Sequence, residues 1–433
     1  MSKNVRALAA KCSFAVIDKG RSLSDELPAL QAQIESTKDK GLLQELCYGV
    51  LRYLPELEFH VRRFVDKPLK GKQRVGHFLL LVGLYQIKYT RIPDHAAVAE
   101  TVAATAALKC RHLKGMINAV LRSYQRQPDD NTALPDAVRY NHPSWLIQKL
   151  KDGYPQQWQD IIAANMQRPD MWIRINKQKT SVDAYLKLLE LAQIDISYRD
   201  SDSDALCLAH PVDVTKLPHF ADGWVSVQDG AAQMAATLLA AQANDRVLDC
   251  CAAPGGKTCH ILELAPSAHV TAIDIEATRL HRVEENLARL DLTARVICAD
   301  AAKPTAWHDG ELYDKILLDA PCSGTGVIRK NPDIKWLRRA SDIDTLVELQ
   351  QQILAAMWSI LKPGGTLLYA TCSILPEENS KQIQRFVDNN QDAIWLDISR
   401  STDTTLADDW QILPGEQSMD GFYYAKLQKS ANV

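Results

Sequence analysis

The chain has 433 residues, which at ~150 residues per domain implies about three domains. Apolar residues make up 46% and charged residues 24%, a globular balance that excludes wholesale disorder. The net charge of −3 hides an asymmetry: residues 1–140 carry 22 Lys and Arg against 14 Asp and Glu, residues 141–433 carry 28 against 39. A basic front half on an acidic rear half suits a protein that grips a polyanion with one part and works with another.

The longest apolar run, Phe78 to Ile87, is about half of the ~20 residues a membrane-spanning helix needs. Arg6 and Lys11 interrupt any signal-peptide core. The ten cysteines show no C-x-x-C spacing and no H-E-x-x-H accompanies them. The expectation is a cytoplasmic protein with no membrane segment, no disulfide scaffold and no metal, most of its thiols being small buried hydrophobes.

Residues 1–140 read as a helical domain. Apolar side chains recur at three and four spacings in Val5-Leu8-Cys12-Ala15-Val16, in Leu42-Leu46-Val50-Leu51 and in Ile117-Val120-Leu121. Pro55, Pro68 and Pro93 punctuate the helices, and Asp94 suits the first turn of one of them. The stretch Arg62 to Arg74 holds six cations in thirteen residues and suits phosphate contacts, unless it is simply a solvated helix end. Gln127-Pro128-Asp129-Asp130-Asn131 and Asn141-His142-Pro143 bracket a linker.

Residues 141–227 comprise that linker and a small α+β module. Trp172 to Ile175 alternates like a strand, Val182 to Leu191 has a helical period, and Ala205 to Leu208 is a short strand. From 228 to 433, after an Ala/Leu-rich helix from Ala231 to Ala241, strands alternate with helices. Five apolar runs, 246–249, 269–274, 295–300, 315–319 and 366–370, are separated by helical stretches such as Arg279 to Leu290 and Ile343 to Leu361. That is the signature of a parallel sheet covered on both faces, whose ligand lies beyond the carboxyl ends of its strands. Four of the five runs end in Asp, at Asp249, Asp274, Asp300 and Asp319.

The loop Cys251-Ala252-Ala253-Pro254-Gly255-Gly256-Lys257 follows the first run and opens a helix. It lacks the Gly at position 251 that a phosphate-binding P-loop needs, and it lacks G-x-G-x-x-G. What remains is a loop for a nucleoside without a pyrophosphate, with Asp274 placed for ribose hydroxyls and Asp300 for an adenine amino group. Together these favour S-adenosylmethionine, although each acid alone is more often a helix cap. Cys322 follows the fourth run in Asp319-Ala320-Pro321-Cys322-Ser323-Gly324-Thr325-Gly326, and Cys372 follows the fifth in Thr371-Cys372-Ser373. If those strands are neighbours, ~4.8 Å apart, both thiols open into one pocket beside the cofactor. Such a pair suits cytosine C5, a carbon too inert for direct methylation: sulfur adds to C6, C5 becomes an enamine nucleophile, and a second acid–base group assists release.

The motifs Cys-Ala-Ala-Pro-Gly-Gly-Lys-Thr, Asp-Ala-Pro-Cys-Ser-Gly-Thr-Gly and Ala-Thr-Cys-Ser followed by Pro376-Glu377-Glu378-Asn379 closely resemble the RNA 5-methylcytosine methyltransferase family. The stretches Leu42 to Arg52 and Leu113 to Arg122 resemble the helical RNA-binding domain of the antitermination factor NusB. The resemblance covers essentially the whole chain and implies a Rossmann-like methyltransferase sheet at residues 228–433, behind an all-α NusB-like domain and an α+β RNA-binding module. It implies methylation of C5 of one cytosine in 16S rRNA, of the cytosine-967 type, with S-adenosylmethionine as co-substrate and no obligate protein partner. It assigns the nucleophile to Cys372 and a part in releasing the product to Cys322. It assigns cofactor contacts to the loop 251–257 and to Asp274, Asp300 and Asp319, although Asp319 equally suits the edge of the target base. The run Ile328 to Arg339, with five cations and Trp336, reads as RNA-facing. Three other readings are a tRNA cytosine methyltransferase, a non-catalytic RNA-binding assembly factor, and an amine or carboxylate methyltransferase, which needs no thiol pair.

Overall fold

The computed structural model describes residues 4–127, 134–199, 204–400, 403–407 and 409–431. It contains two compact units, Met1–Met166 with Lys330–Arg339, and Gln167–Arg329 with Ala340–Val433. Residues 128–131 of the expected linker lie outside the described residues.

The first unit is a helix bundle: α1 (Val5–Lys19), α2 (Leu23–Gln31), α3 (Thr37–Arg52), α4 (Leu54–Arg62), α5 (Arg74–Tyr89), α6 (Asp94–Ala107), α7 (Lys114–Arg126), α8 (Asp136–Arg139), α9 (Ser144–Gly153) and α10 (Trp158–Met166). Helix α5 is buried without interruption from Gly76 to Gln86, on every side, as a helix at the centre of a bundle must be. Gly49 makes that packing possible, because a Cβ there would lie 1.9 Å from Cζ of Tyr85. Asn4 and Ser36 cap α1 and α3 by accepting from Ala7 N–H and Asp39 N–H. Glu56 accepts from Tyr89 Oη at 2.6 Å and Asn141 Nδ2 at 3.1 Å and pairs with Lys88 at 2.9 Å. Burial opposes its ionisation, but these bonds together with His60 prevail and hold the carboxyl at about 2.

The second unit opens with the module: β1 (Met171–Ile175), α11 (Val182–Leu191), β2 (Ile196–Arg199), β3 (Ala205–Leu208) and β4 (Val225–Val227). Its antiparallel sheet has the order β2-β3-β1-β4. One face, with Ile173, Ile175 and Leu206, packs with Tyr185 and Leu189 of α11; the other, with Trp172 and Cys207, joins the larger core behind it. The period-two alternation expected for β1 is what sends neighbouring residues to opposite faces. The strands β2 and β4 were not foreseen from the sequence.

Next come α12 (Gly230–Leu239), β5 (Arg246–Cys250), α13 (Gly256–Leu264), β6 (His269–Asp274), α14 (Ala277–Leu290), β7 (Arg295–Cys298), β8 (Tyr313–Asp319), α15 (Ile334–Leu337), α16 (Ala340–Ser359), β9 (Leu361–Thr371), α17 (Ser380–Asn389), β10 (Ala393–Leu396), β11 (Ile398–Arg400), β12 (Asp403–Ala407), β13 (Asp409–Ile412) and β14 (Phe422–Lys429). The large sheet runs β10-β14-β9-β8-β5-β6-β7, with β13 paired to β14. Five consecutive strands, β9-β8-β5-β6-β7, are parallel, and β14 is antiparallel to β9. All five strands expected from the apolar runs form. The antiparallel edge beyond them was not foreseen.

One expectation is corrected for two of the five cations in the run 328–339: Arg329 and Lys335 are internal and not RNA-facing. Arg329 and Lys335 are each 1% exposed. Lys335 Nζ donates to the carbonyls of Arg52 and Asn141, both at 2.9 Å, and Trp336 Nε1 donates to Leu51 O at 2.7 Å. Asp333 accepts from Leu23 N–H at 2.9 Å. In the second unit Arg329 pairs with Asp420 at 2.5 Å and donates to Ser418 O at 2.7 Å. Buried cations need partners, and here carbonyls and a carboxylate supply them. Burial, with the Arg52 charge behind it, pushes the Lys335 ammonium well below its ordinary range.

Candidate functional site

Strand β5 delivers the chain to the loop 251–257 at the point in the sheet where strand order reverses, with β6 on one side and β8 on the other. The loop turns through two left-handed residues, Cys251 (φ 64°) and Gly255 (φ 94°), before α13 begins at Gly256. Gly255 needs both its freedom in φ and its lack of a side chain, because a Cβ would stand 3.0 Å from Cα of Val283. Asp274, at the end of β6, is 3% exposed and braces the loop by accepting from Ala253 N–H at 3.2 Å and Glu276 N–H at 3.1 Å. Asp300 lies two residues beyond the end of β7 and is half-buried.

A cavity of about 300 Å³ opens at these strand ends. Among the residues lining it are seven expected from the sequence: Cys251, Ala253, Asp274, Asp300, Asp319, Cys322 and Cys372. Ile275, 65% exposed, and Leu349 and Ile353 of α16 supply apolar wall. Ala252, Pro254, Gly255, Gly256 and Lys257 are not in the lining and shape the loop behind it. Lys257 nevertheless reaches the site, since its Nζ pairs with Asp319 Oδ2 at 2.5 Å. A larger space, about 520 Å³, lies at the amino ends of β5, β6 and β7 between Arg246, His269 and Arg295. It is at the wrong end of the strands for the thiols, and Asp309 pairs with both of its arginines.

The two thiols meet. Strands β8 and β9 are parallel neighbours with Asp319 opposite Ala370, and the Sγ atoms of Cys322 and Cys372 lie 3.4 Å apart. The hydrogen bond between the sulfurs, then burial, then the charges of Cys372 and Glu378 push the Cys322 thiol well above its usual range. Gly326 N–H donates to Cys372 O at 2.9 Å, and a Cβ on Gly326 would stand 2.1 Å from Gly421 O. The loop carrying Cys322 therefore lies hard against those carrying Cys372 and Gly421.

Four residues escaped the sequence reading as site residues. Asp249, fully buried at the end of β5, accepts from Thr258 Oγ1 at 2.5 Å, while its Oδ1 finds no protein partner; burial raises its carboxyl to about 7. Arg174 of the module, 1% exposed, pairs with Glu263 at 2.8 Å and donates to Gly256 O at 3.2 Å and to Gln228, fastening the start of α13. Ile275 carried no polar signal. Glu378 stood inside a quoted motif without a role. The donor set fits a nucleoside: carboxylates for hydroxyl and amino groups, small residues for close backbone approach, and an exposed Ile275 for a ring face.

Comparison with known proteins supports the same conclusion. Residues 236–428 match the family described as 16S rRNA methyltransferase RsmB/F, residues 142–215 match an RsmF/B-like ferredoxin-like domain, and residues 3–126 match the NusB family. The ribosomal RNA small subunit methyltransferase B of Vibrio cholerae is 56% identical over 429 residues, 98% of each chain. That of Shewanella oneidensis is 54% identical over 429 residues, 99% of this chain and 100% of the relative. The crystal structure of PH0851 superimposes with a TM-score of 0.82 over 99% of this chain and 100% of that one, at 23% identity, and so shares the fold. Among the described residues no helix is long and apolar enough to cross a membrane. With its helical, ferredoxin-like and catalytic parts all matched, the chain belongs to the RsmB/F family of 16S rRNA methyltransferases.

Proposed function

We propose that this protein methylates C5 of a single cytosine in 16S rRNA, of the cytosine-967 type, through a temporary bond between Cys372 and C6. The observation that carries the reading is the 3.4 Å separation of two sulfurs that line one cavity together with Asp274, Ile275 and Asp300. S-adenosylmethionine, when bound, supplies a methyl group made electrophilic by its sulfonium. Asp274 and Asp300 would accept from its ribose and adenine, with Ile275 against the ring. Asp319, held by Lys257, faces either the cofactor or the edge of the base.

The thiolate of Cys372 adds to C6, and the ring electrons displaced onto C5 form the bond to the methyl group. Cys322, once it has lost its own proton to solvent, takes the C5 proton as the C6–sulfur bond breaks, returning Cys372 as a thiolate and restoring the aromatic ring. The base must be single-stranded or flipped out so that both sulfur and methyl reach it, at a cost of about a few kcal/mol that RNA binding must cover. Exposed Lys67, Lys70 and Lys72 of the stretch before α5 would contribute to that binding in the cytoplasm.

Two variants test the assignment on undermethylated rRNA. Cys372→Ala is expected to abolish methyl transfer and to give no adduct. Cys322→Ala is expected to accumulate a protein–RNA adduct that survives denaturation. Interchanged phenotypes would reverse the two roles, and label entering tRNA instead of rRNA would overturn the substrate.

A further inference from the structure

Glu378 follows the Cys372 loop in the sequence, is fully buried, and is not in the cavity lining. Its carboxylate accepts four hydrogen bonds, from Ser323 N–H at 2.8 Å, Ser323 Oγ at 2.6 Å, Ser373 Oγ at 2.5 Å and Gln350 Nε2 at 3.1 Å. Ser323 and Ser373 are the residues immediately after Cys322 and Cys372. Four donors converging on two oxygens are what a carboxylate satisfies, and among the described residues no Lys or Arg forms an ion pair with it. A charge is kept in the interior without a counter-charge, at a point where a neutral group could have filled the space; that arrangement is expensive unless it serves something.

We propose that Glu378 is the positioning residue of the thiol pair: one carboxylate ties the Cys322 turn to the Cys372 turn, setting the distance between the sulfurs, and its charge biases their shared proton toward Cys322. The role rests on the reaction proposed above. Asn379 completes the clamp by accepting from Thr371 Oγ1 at 2.6 Å and donating to Ser373 O at 2.9 Å. The titratable groups facing Cys322 are Cys372 and Glu378, with Tyr369 behind them donating to Glu378 O at 2.8 Å; on the cavity side stands the Asp319–Lys257 pair. A proton held on Cys322 leaves Cys372, the sulfur that must attack, as the acceptor of the hydrogen bond between them. Once Cys372 is bonded to C6, the hydrogen bond between the sulfurs no longer holds the Cys322 proton. Cys322 can then ionise to solvent and accept the C5 proton.

Two variants separate span from charge. Glu378→Gln keeps the length, and the serine hydroxyls can turn to accept from its amide. It is expected to lower kcat about tenfold with KM for S-adenosylmethionine unchanged, and to move the pH midpoint of Cys322 alkylation by iodoacetamide downward. Glu378→Asp keeps the charge but is one methylene short of bridging both turns. It is expected to leave that midpoint in place while weakening capture of phenylarsine oxide, which needs two thiols held close together, by tenfold or more. An unchanged alkylation midpoint in the Gln variant, or unchanged arsenical binding in the Asp variant, overturns the proposal. If one variant fails to fold, the other still decides. Neither thiol measurement involves RNA, so a wrong substrate assignment would leave both results standing.

Discussion

At the scale of single residues, this protein places charge in its interior where a local rigid connection is needed. Arg174 is the clearest case after Glu378: its guanidinium meets Glu263 through two nearly parallel bonds, 2.9 and 2.8 Å, and reaches the first carbonyl of α13. A buried pair is weak evidence for net stability, but removing one partner strands the other. Arg174→Met is therefore expected to destabilise the protein by about 3–5 kcal/mol in chemical denaturation. The double variant Arg174→Met with Glu263→Leu should recover most of that loss, and it should still bind S-adenosylmethionine more weakly because the tie to Gly256 is gone. Equal stability of the single and double variants would show that the pair does not act as a unit. Residues of this kind were poorly legible in the sequence. Arg174 in Trp172-Ile173-Arg174-Ile175 looks like the polar position of an ordinary half-exposed strand. Only the second layer packed against that face makes it internal.

At the scale of elements, periodicity marked some helices and left others unmarked. The spacing 3.6 per turn exposes an apolar stripe wherever one face is wet, as in α7 with Ile117, Val120 and Leu121 buried. Helix α5 gives no stripe because it is enclosed, and its place at the centre of the bundle rests on the neighbours that make room for it. Helix α3 supplies a direct test of that accommodation. Gly41 and Gly49 both lie within it; a Cβ on Gly41 would meet nothing within 4 Å, whereas one on Gly49 would collide with the ring of Tyr85. That ring is buried and its hydroxyl donates to Glu45 at 2.6 Å, so it has little freedom to yield. Gly41→Ala is expected to stabilise by about 0.5–1 kcal/mol through helix propensity. Gly49→Ala is expected to destabilise by about 1–3 kcal/mol through overpacking. Thermal melts of the two variants should shift in opposite directions. A common direction would mean that propensity alone governs this helix.

At the scale of the whole molecule, residues 1–140 are net basic and residues 141–433 net acidic. If Lys67, Lys70 and Lys72 neutralise phosphates, each contributes about 0.7 to the salt slope of binding to single-stranded RNA. Replacing all three with Ala should reduce the magnitude of the slope of log K against log salt by about 2. An unchanged slope would show that this stretch faces only solvent. The order of helices, module and sheet, the five parallel strands, the loop 251–257 and the two thiols were all present in the linear pattern. Periodicity and loop chemistry are local properties, carried by residues near one another in the chain. What the tertiary structure alone decided was which cations are inside, that Lys335 and Trp336 belong to the helical unit's interior, and that Glu378 joins two turns fifty residues apart. Burial depends on what arrives from elsewhere in the chain, and a charged side chain looks the same in sequence whether water or a ring of carbonyl oxygens is waiting for it.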